Sequence, residues 1–162
     1  MTSTTTQEND LSPEERLSQL GFEVPSVTAP VAIYVPAVQT GQLIYTSGQL
    51  PLNAGTLLHP GKVGAEVTLE QAQEAARQCA LNGLAAVRSL IGDLRLIRRV
   101  VKVVGFVASA PDFTNQPGVI NGASQLIADA FGENIGPHAR SAVGVAALPL
   151  NSPVEIEIIV EI

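Results

Sequence analysis

The sequence predicts an α+β domain, a mixed β-sheet with two long helices packed on one face. Three observations carry that expectation. The strand-like and helix-like segments follow the order β-β-α-β-α-β-β, with a small helix in front, which suits a two-layer sandwich. Residues 154–158 alternate without a break, so Glu155 and Glu157 share one face of a strand while Val154, Ile156 and Ile158 share the other. Two stretches, residues 68–91 and 113–131, carry apolar side chains at helical spacing on one side only.

Residues 1–10 are polar and are expected to be disordered. Residues 11–30 read as an N-terminal extension, and residues 31–162 as the main domain. In the extension, Ser12 suits an N-cap, Pro13 the first helical position and Glu15 a capping box, while Gly21 can end the short helix in the left-handed conformation. Residues 31–38 read as extended, with Pro36 marking an edge, and residues 42–47 as the strand that pairs with them around Thr40 and Gly41. Residues 50–67, with two prolines and three glycines, read as a loop, and His59 within it as a solvated side chain. Thr68 and Gln71 form a second capping box. It opens the clearest helix, whose stripe runs through Leu69, Ala72, Ala76, Cys79, Leu84, Val87 and Leu90 to a stop at Gly92. Cys79 falls on that stripe and reads as a small buried hydrophobe, not a nucleophile.

Residues 96–107 read as a long strand with a solvated basic start at Arg98, Arg99 and Lys102. The second helix follows, starting after Pro117 and stopped by Gly132. The last twenty-five residues read as two strands joined by a Leu-Pro-Leu-Asn-Ser-Pro turn, hence a hairpin. Arg140, the only lysine or arginine after Lys102, opens the first of these strands. A hairpin would bring it towards Glu155 and Glu157. On spacing alone, a salt bridge stitching the two strands has a stronger claim than an anion-binding site.

Composition removes several classes of function. The net charge of −6 leaves no basic stripe for nucleic acid, and no tryptophan, two tyrosines and four phenylalanines make a poor base-stacking platform. A single cysteine excludes an internal disulfide and a cysteine-based zinc site, and suits a reducing, cytoplasmic setting. The first residues lack the basic and apolar regions of a secretory signal, and no run is apolar enough to span a membrane. Apolar residues make up 46% against 15% charged, which points to subunit contacts beyond an internal core.

The segment from Tyr45 to Pro51 (Tyr-Thr-Ser-Gly-Gln-Leu-Pro), the helix at Thr68, Ala139-Arg-Ser-Ala-Val, Leu148-Pro149 and Val154-Glu-Ile-Glu occur together and in this order. This combination resembles the RidA/YjgF family of reactive-intermediate deaminases, formerly the endoribonuclease L-PSP family, across residues 33–160. Phe106 to Phe113 looks like a longer-chain branch of that family. The resemblance implies a chorismate-mutase-like fold and a homotrimer, with sheets at the centre, helices outside and sites in clefts between subunits. It implies that Arg140 binds a substrate carboxylate, that Glu155 orients a water, and that Ser47 and Gly48 line the pocket. Tyr34 and Asn121 look like the family's pocket tyrosine and asparagine. Ala142 stands where short deaminases often carry a cysteine, and would act through its backbone carbonyl.

The activity implied is hydrolysis of 2-imino or enamine acids to 2-oxo acids and ammonia, without metal or organic cofactor. The alternative is a trimeric module that binds small carboxylates without turnover. An RNA-cleaving activity fits the acidic balance poorly. The N-terminal extension and the added length around residues 115–122 are expected to reshape the pocket mouth.

Overall fold

The structure, a computed structural model, describes residues 11–27 and 33–162; the expected disordered N-terminus and residues 31–32 of the first extended segment lie outside the described residues. The chain forms α1 (Pro13–Gln19), β1 (Ala37–Thr40), β2 (Leu43–Thr46), β3 (Leu52–Asn53), β4 (Thr56–Leu57), α2 (Leu69–Ile91), β5 (Arg99–Ala108), α3 (Gln116–Ile135), β6 (Ala139–Val145) and β7 (Val154–Glu161). A five-stranded mixed sheet has the order β1-β2-β7-β5-β6, and β3 and β4 make a separate two-stranded ribbon. β5 and β6 run parallel, joined by α3, while the other sheet pairs are antiparallel.

Local chemistry sets the helix ends. Both expected capping boxes form, Ser12 with Glu15 and Thr68 with Gln71. Past α1, the Gly21 N–H reaches the Ser18 carbonyl and the Phe22 N–H the Leu17 carbonyl, a Schellman closure. It requires the left-handed φ of +84° that Gly21 adopts without penalty. α1 belongs to the same core as the main domain, since Leu17 is fully buried.

Two apolar layers meet in that core. One face of the sheet supplies Ile44, Val103, Val107, Val154, Ile156, Ile158 and Val160; α2 and α3 supply Leu84, Val87, Ile120, Leu126 and Ile127. A run of alanines on α2 lets the helix lie close to the sheet and to α3. The opposite face of the sheet has no helix over it. It presents Val38, Tyr45, Val104, Phe106 and Val143 beside Glu155 and Glu157.

Several elements differ from the sequence reading. Residues 33–36 bend and do not pair as a strand; the Ser47 N–H and hydroxyl instead satisfy the carbonyls of Pro36 and Val35, and pairing starts at Ala37. The expected loop at 50–67 contains the β3–β4 hairpin, turned by Ala54 and Gly55, both at positive φ as a type I′ turn demands. A 3₁₀ turn, Leu94–Leu96, capped by Asp93, delays β5 to Arg99. Leu90, placed on the buried stripe by spacing, is 47% exposed at the end of α2. α3 starts at Gln116 and continues to Ile135, although Gly132 has non-helical angles within it.

The largest correction concerns the last two strands. β6 and β7 do not form a hairpin, because β5 lies between them and pairs with both. The connection through Leu148, Pro149 and Ser152 crosses over the end of β5. Arg140 therefore lies beside Val103 and not beside Glu155 or Glu157, and the expected stitching salt bridge is not made.

Candidate active site

The expected site residues fall into two groups on opposite faces of the sheet. Arg140 is on β6, the edge strand, in register with Val103, whose side chain points into the helix-side core. Its guanidinium therefore leans towards α3. Nη1 donates to Asn121 Oδ1 at 2.8 Å and to Ser124 Oγ at 3.2 Å, and Nη2 makes a long 3.5 Å approach to the Pro117 carbonyl. Asn121 and Ser124 are three apart on α3, hence on one face of the helix. Ala142, two residues along β6, points the same way and packs partly against the core in register with Gly105.

Glu155 is on β7 with Phe106 across from it, on the sheet face without helices. The chain after β2 runs beside β7 through a bridge between Gln49 and Ile156, which carries Gly48 over the Glu155 carboxylate. A Cβ at Gly48 would stand 2.0 Å from Glu155 Oε1, so any larger residue there would push the carboxylate out of this position. Partial burial, and secondarily the charge of Glu157, pushes the Glu155 carboxyl above its ordinary value. Glu157 lies on the same face, one side-chain step along β7.

Ser47 joins the Glu155 group by sequence, but its hydroxyl donates to the Val35 carbonyl at 2.6 Å and so fixes the segment that carries Tyr34. Tyr34 is 65% exposed. Tyr34 and Gly48 both line a cavity of about 440 Å³ whose walls include Pro25 from the extension, Leu50, and Asn82 and Ala86 from α2. Arg88 strengthens the extension side of that cavity, donating to the carbonyls of Val24 and Pro25.

Register gives the distance between the two groups. Arg140 is level with Val103 and Ile158, and Glu155 is three residues from Ile158 on a strand two places away. Strand spacing and rise put the two backbones roughly 14 Å apart. Their side chains then diverge to opposite faces. One chain alone does not close both on one small substrate.

Two side chains that the sequence reading passed over belong to the Arg140 group. The Ser124 hydroxyl lies 3.0 Å from His138 Nε2, and His138 Nδ1 lies 2.6 Å from the Gly136 carbonyl. The signal was present in the sequence: His138 is two residues before Arg140, hence on the same strand face, and Ser124 is one helical turn after Asn121. His59, read as solvated, instead contacts Glu74 at 2.7 Å. Cys79 is fully buried near the Val154 carbonyl, and burial pushes its thiol well above the usual range, as the buried reading requires. Among the described residues, no group of three His, Cys, Asp or Glu side chains is placed to hold a metal ion. None of the described helices is long and apolar enough to cross a membrane.

The sequence model of the family described as Endoribonuclease L-PSP matches residues 25–162. Protein TCP17 of Trypanosoma cruzi is 45% identical over 90% of this chain and 91% of its own. A 2-iminobutanoate/2-iminopropanoate deaminase of Escherichia coli is 35% identical over 81% of this chain and 90% of its own. Among solved structures, the protein Atu1372 of Agrobacterium tumefaciens, described as of unknown function, superposes with a TM-score of 0.86 at 53% identity, covering 93% of this chain and 92% of that one.

Proposed function

The chain belongs to the endoribonuclease L-PSP family, the RidA/YjgF family of reactive-intermediate deaminases, and from that membership we propose that it hydrolyses 2-imino or enamine acids to 2-oxo acids and ammonia, in a cleft between subunits of a cytoplasmic homotrimer. The observation that carries this reading is the split between Arg140 and Glu155. The two groups the chemistry needs are both prepared, yet they sit on opposite faces of one sheet. A neighbouring copy is the natural source of the missing half, and closed cyclic symmetry repeats the same cleft around the ring. The unhelical face of the sheet supports assembly, because Val38, Tyr45 and Val143 are each at least 43% exposed there.

The chemistry follows from the side chains. Arg140 of one copy takes the substrate carboxylate in a charge-assisted pair and fixes the C=N carbon relative to it. Glu155 of the next copy, held beside Gly48, accepts a proton from water as the oxygen adds to that carbon and the C=N π-electrons move to nitrogen. Glu155 passes that proton to the nitrogen to complete the carbinolamine, then takes the hydroxyl proton as the C=O bond forms and the C–N bond breaks, and gives it to the departing nitrogen. Water and imine enter; ketone and ammonia leave. The backbone of Gly48 and the ring of Tyr34 border the cavity that receives the substrate side chain.

An amino-acid oxidase that generates 2-imino acids in situ, with semicarbazide trapping what survives, tests the proposal. Wild type should lower semicarbazone yield and Arg140→Ala should not. No acceleration with any imine across a panel of amino acids would overturn the deaminase. Binding of 2-oxo acids without turnover would then identify a carboxylate-binding module, a reading that Ala142, in place of the short deaminases' cysteine, favours.

A further inference from the structure

Resting on the carboxylate-binding reading of Arg140, we propose that His138 and Ser124 form a positioning relay. The relay occupies the Nη1 end of the guanidinium and leaves its Nε/Nη2 edge as the one fork that receives the substrate carboxylate.

The relay follows from donor and acceptor counting. The Gly136 carbonyl can only accept, so His138 Nδ1 carries the proton that bridges their 2.6 Å separation. In the neutral ring, Nε2 then has a lone pair, and the Ser124 hydroxyl donates to it across 3.0 Å. With its hydrogen spent, Ser124 Oγ turns its lone pairs to Arg140 and accepts from Nη1 at 3.2 Å. Asn121 Oδ1 accepts from the same nitrogen at 2.8 Å. Nη1 has two hydrogens and both are engaged.

A guanidinium offers a carboxylate two parallel forks, one end-on through Nη1 and Nη2, the other side-on through Nε and Nη2. The relay closes the first. Nη2 makes only the 3.5 Å approach to the Pro117 carbonyl, and Nε makes no hydrogen bond to the described residues. The second fork is open. A serine within a helix has a competing choice, to turn its hydroxyl back to the preceding turn of backbone. His138 removes that choice. The partners sit on three supports, α3 for Asn121 and Ser124, β6 for Arg140 and the Gly136–His138 entry to β6, so the fork has a fixed direction relative to the sheet edge.

The test combines a readout on the free protein with one on function. Hindered rotation of the Arg140 guanidinium, followed by ¹⁵N NMR, should show a slow Cζ–Nη1 rotor in wild type that Ser124→Ala and His138→Leu accelerate, whatever the substrate. A freely rotating Nη1 in wild type overturns the relay even if the protein is a deaminase. For function, Ser124→Ala and His138→Leu should raise KM for 2-iminobutanoate, and the Kd for 2-oxobutanoate by calorimetry, about tenfold, with kcat within about twofold. Ser124→Thr, which keeps the hydroxyl, and His138→Gln, which keeps an acceptor near Nε2, should recover most of the loss. Unchanged KM and Kd in both truncations, or a fall in kcat alone, sinks the relay. Absence of turnover and of 2-oxobutanoate binding in wild type, with the slow rotor intact, removes the carboxylate reading and leaves the relay as geometry that serves another anion.

Discussion

At the scale of single residues, Arg140 and Glu155 make different demands on their surroundings. Arg140→Lys keeps a positive charge but loses the planar fork, so kcat/KM should fall by about tenfold to a hundredfold with some binding of 2-oxo acids retained. Unchanged turnover would remove the two-point contact from the mechanism. Glu155→Gln keeps shape and loses the base, and kcat should drop by about 10²–10⁴. Because the Glu155 carboxyl is pushed upward, the acid limb of the wild-type pH–rate profile should lie above the ordinary carboxylate range. The same shift has a stability consequence. A raised folded-state pKa means that the native state holds its proton more tightly than the unfolded chain. Stability associated with Glu155 is thus present below the unfolded value and is lost as pH rises through the folded one. Glu155→Gln should therefore raise Tm at neutral pH, with the gain fading towards pH 4; a loss of Tm at pH 7 would contradict the burial argument. Motif and order singled out both residues in the sequence. Their neighbours were less legible. The motif marks Gly48 as pocket-lining but not that it lies against Glu155, and the spacing that puts His138 near Arg140 and Ser124 near Asn121 gains meaning only once α3 is seen against β6.

At the scale of elements, the helices were legible where local chemistry fixes them and the strands were not where pairing is non-local. Capping boxes at Ser12 and Thr68 are read from four adjacent residues. The place of β6 is not, since nothing in residues 139–162 distinguishes a hairpin from two strands separated by β5. Only the crossover through α3, which makes β6 parallel to β5, decides it. That crossover also carries Asn121 and Ser124 to Arg140, so the seating of α3 controls the site. Gly122 is the tightest point of that seating. A Cβ there would meet the Gln73 carbonyl oxygen of α2 at 2.2 Å, a backbone atom that cannot turn aside. Gly83, on α2, faces Ile158 Cδ1 at 2.8 Å, the far end of a flexible side chain. Gly122→Ala should cost about 1–3 kcal/mol by urea unfolding and raise KM as α3 shifts. Gly83→Ala should be close to neutral, because the better helix propensity of alanine offsets the contact by about 1 kcal/mol. Equal costs at the two positions would mean that α2 and α3 are not held at this separation.

At the scale of the whole molecule, the sheet decides what a single copy can do. Its helix side is filled, while its other side leaves Tyr45 and Val143 at 43% and 45% exposure beside partly buried carboxylates. The apolar-rich composition pointed to subunit contacts, but only the register separates Arg140 from Glu155 by two strands and by the thickness of the sheet. A chain in which both groups acted together could not be rescued by a second chain lacking one of them. A site shared between copies can. Arg140→Ala and Glu155→Gln chains should each be nearly inactive alone. After denaturation and joint refolding at equal amounts, a cyclic trimer assembles at random, and a cleft works where a Glu155→Gln chain supplies the arginine and the next, an Arg140→Ala chain, supplies the glutamate. Each condition holds for half of the positions, so about a quarter of wild-type activity should return. Light scattering on the same sample reads the number of subunits directly. Recovery near a quarter in a trimer makes the cleft a joint structure. No recovery in a mixed trimer would require Arg140 and Glu155 to reach one substrate from the same chain, which the sheet register opposes, and would remove one of the two from the reaction.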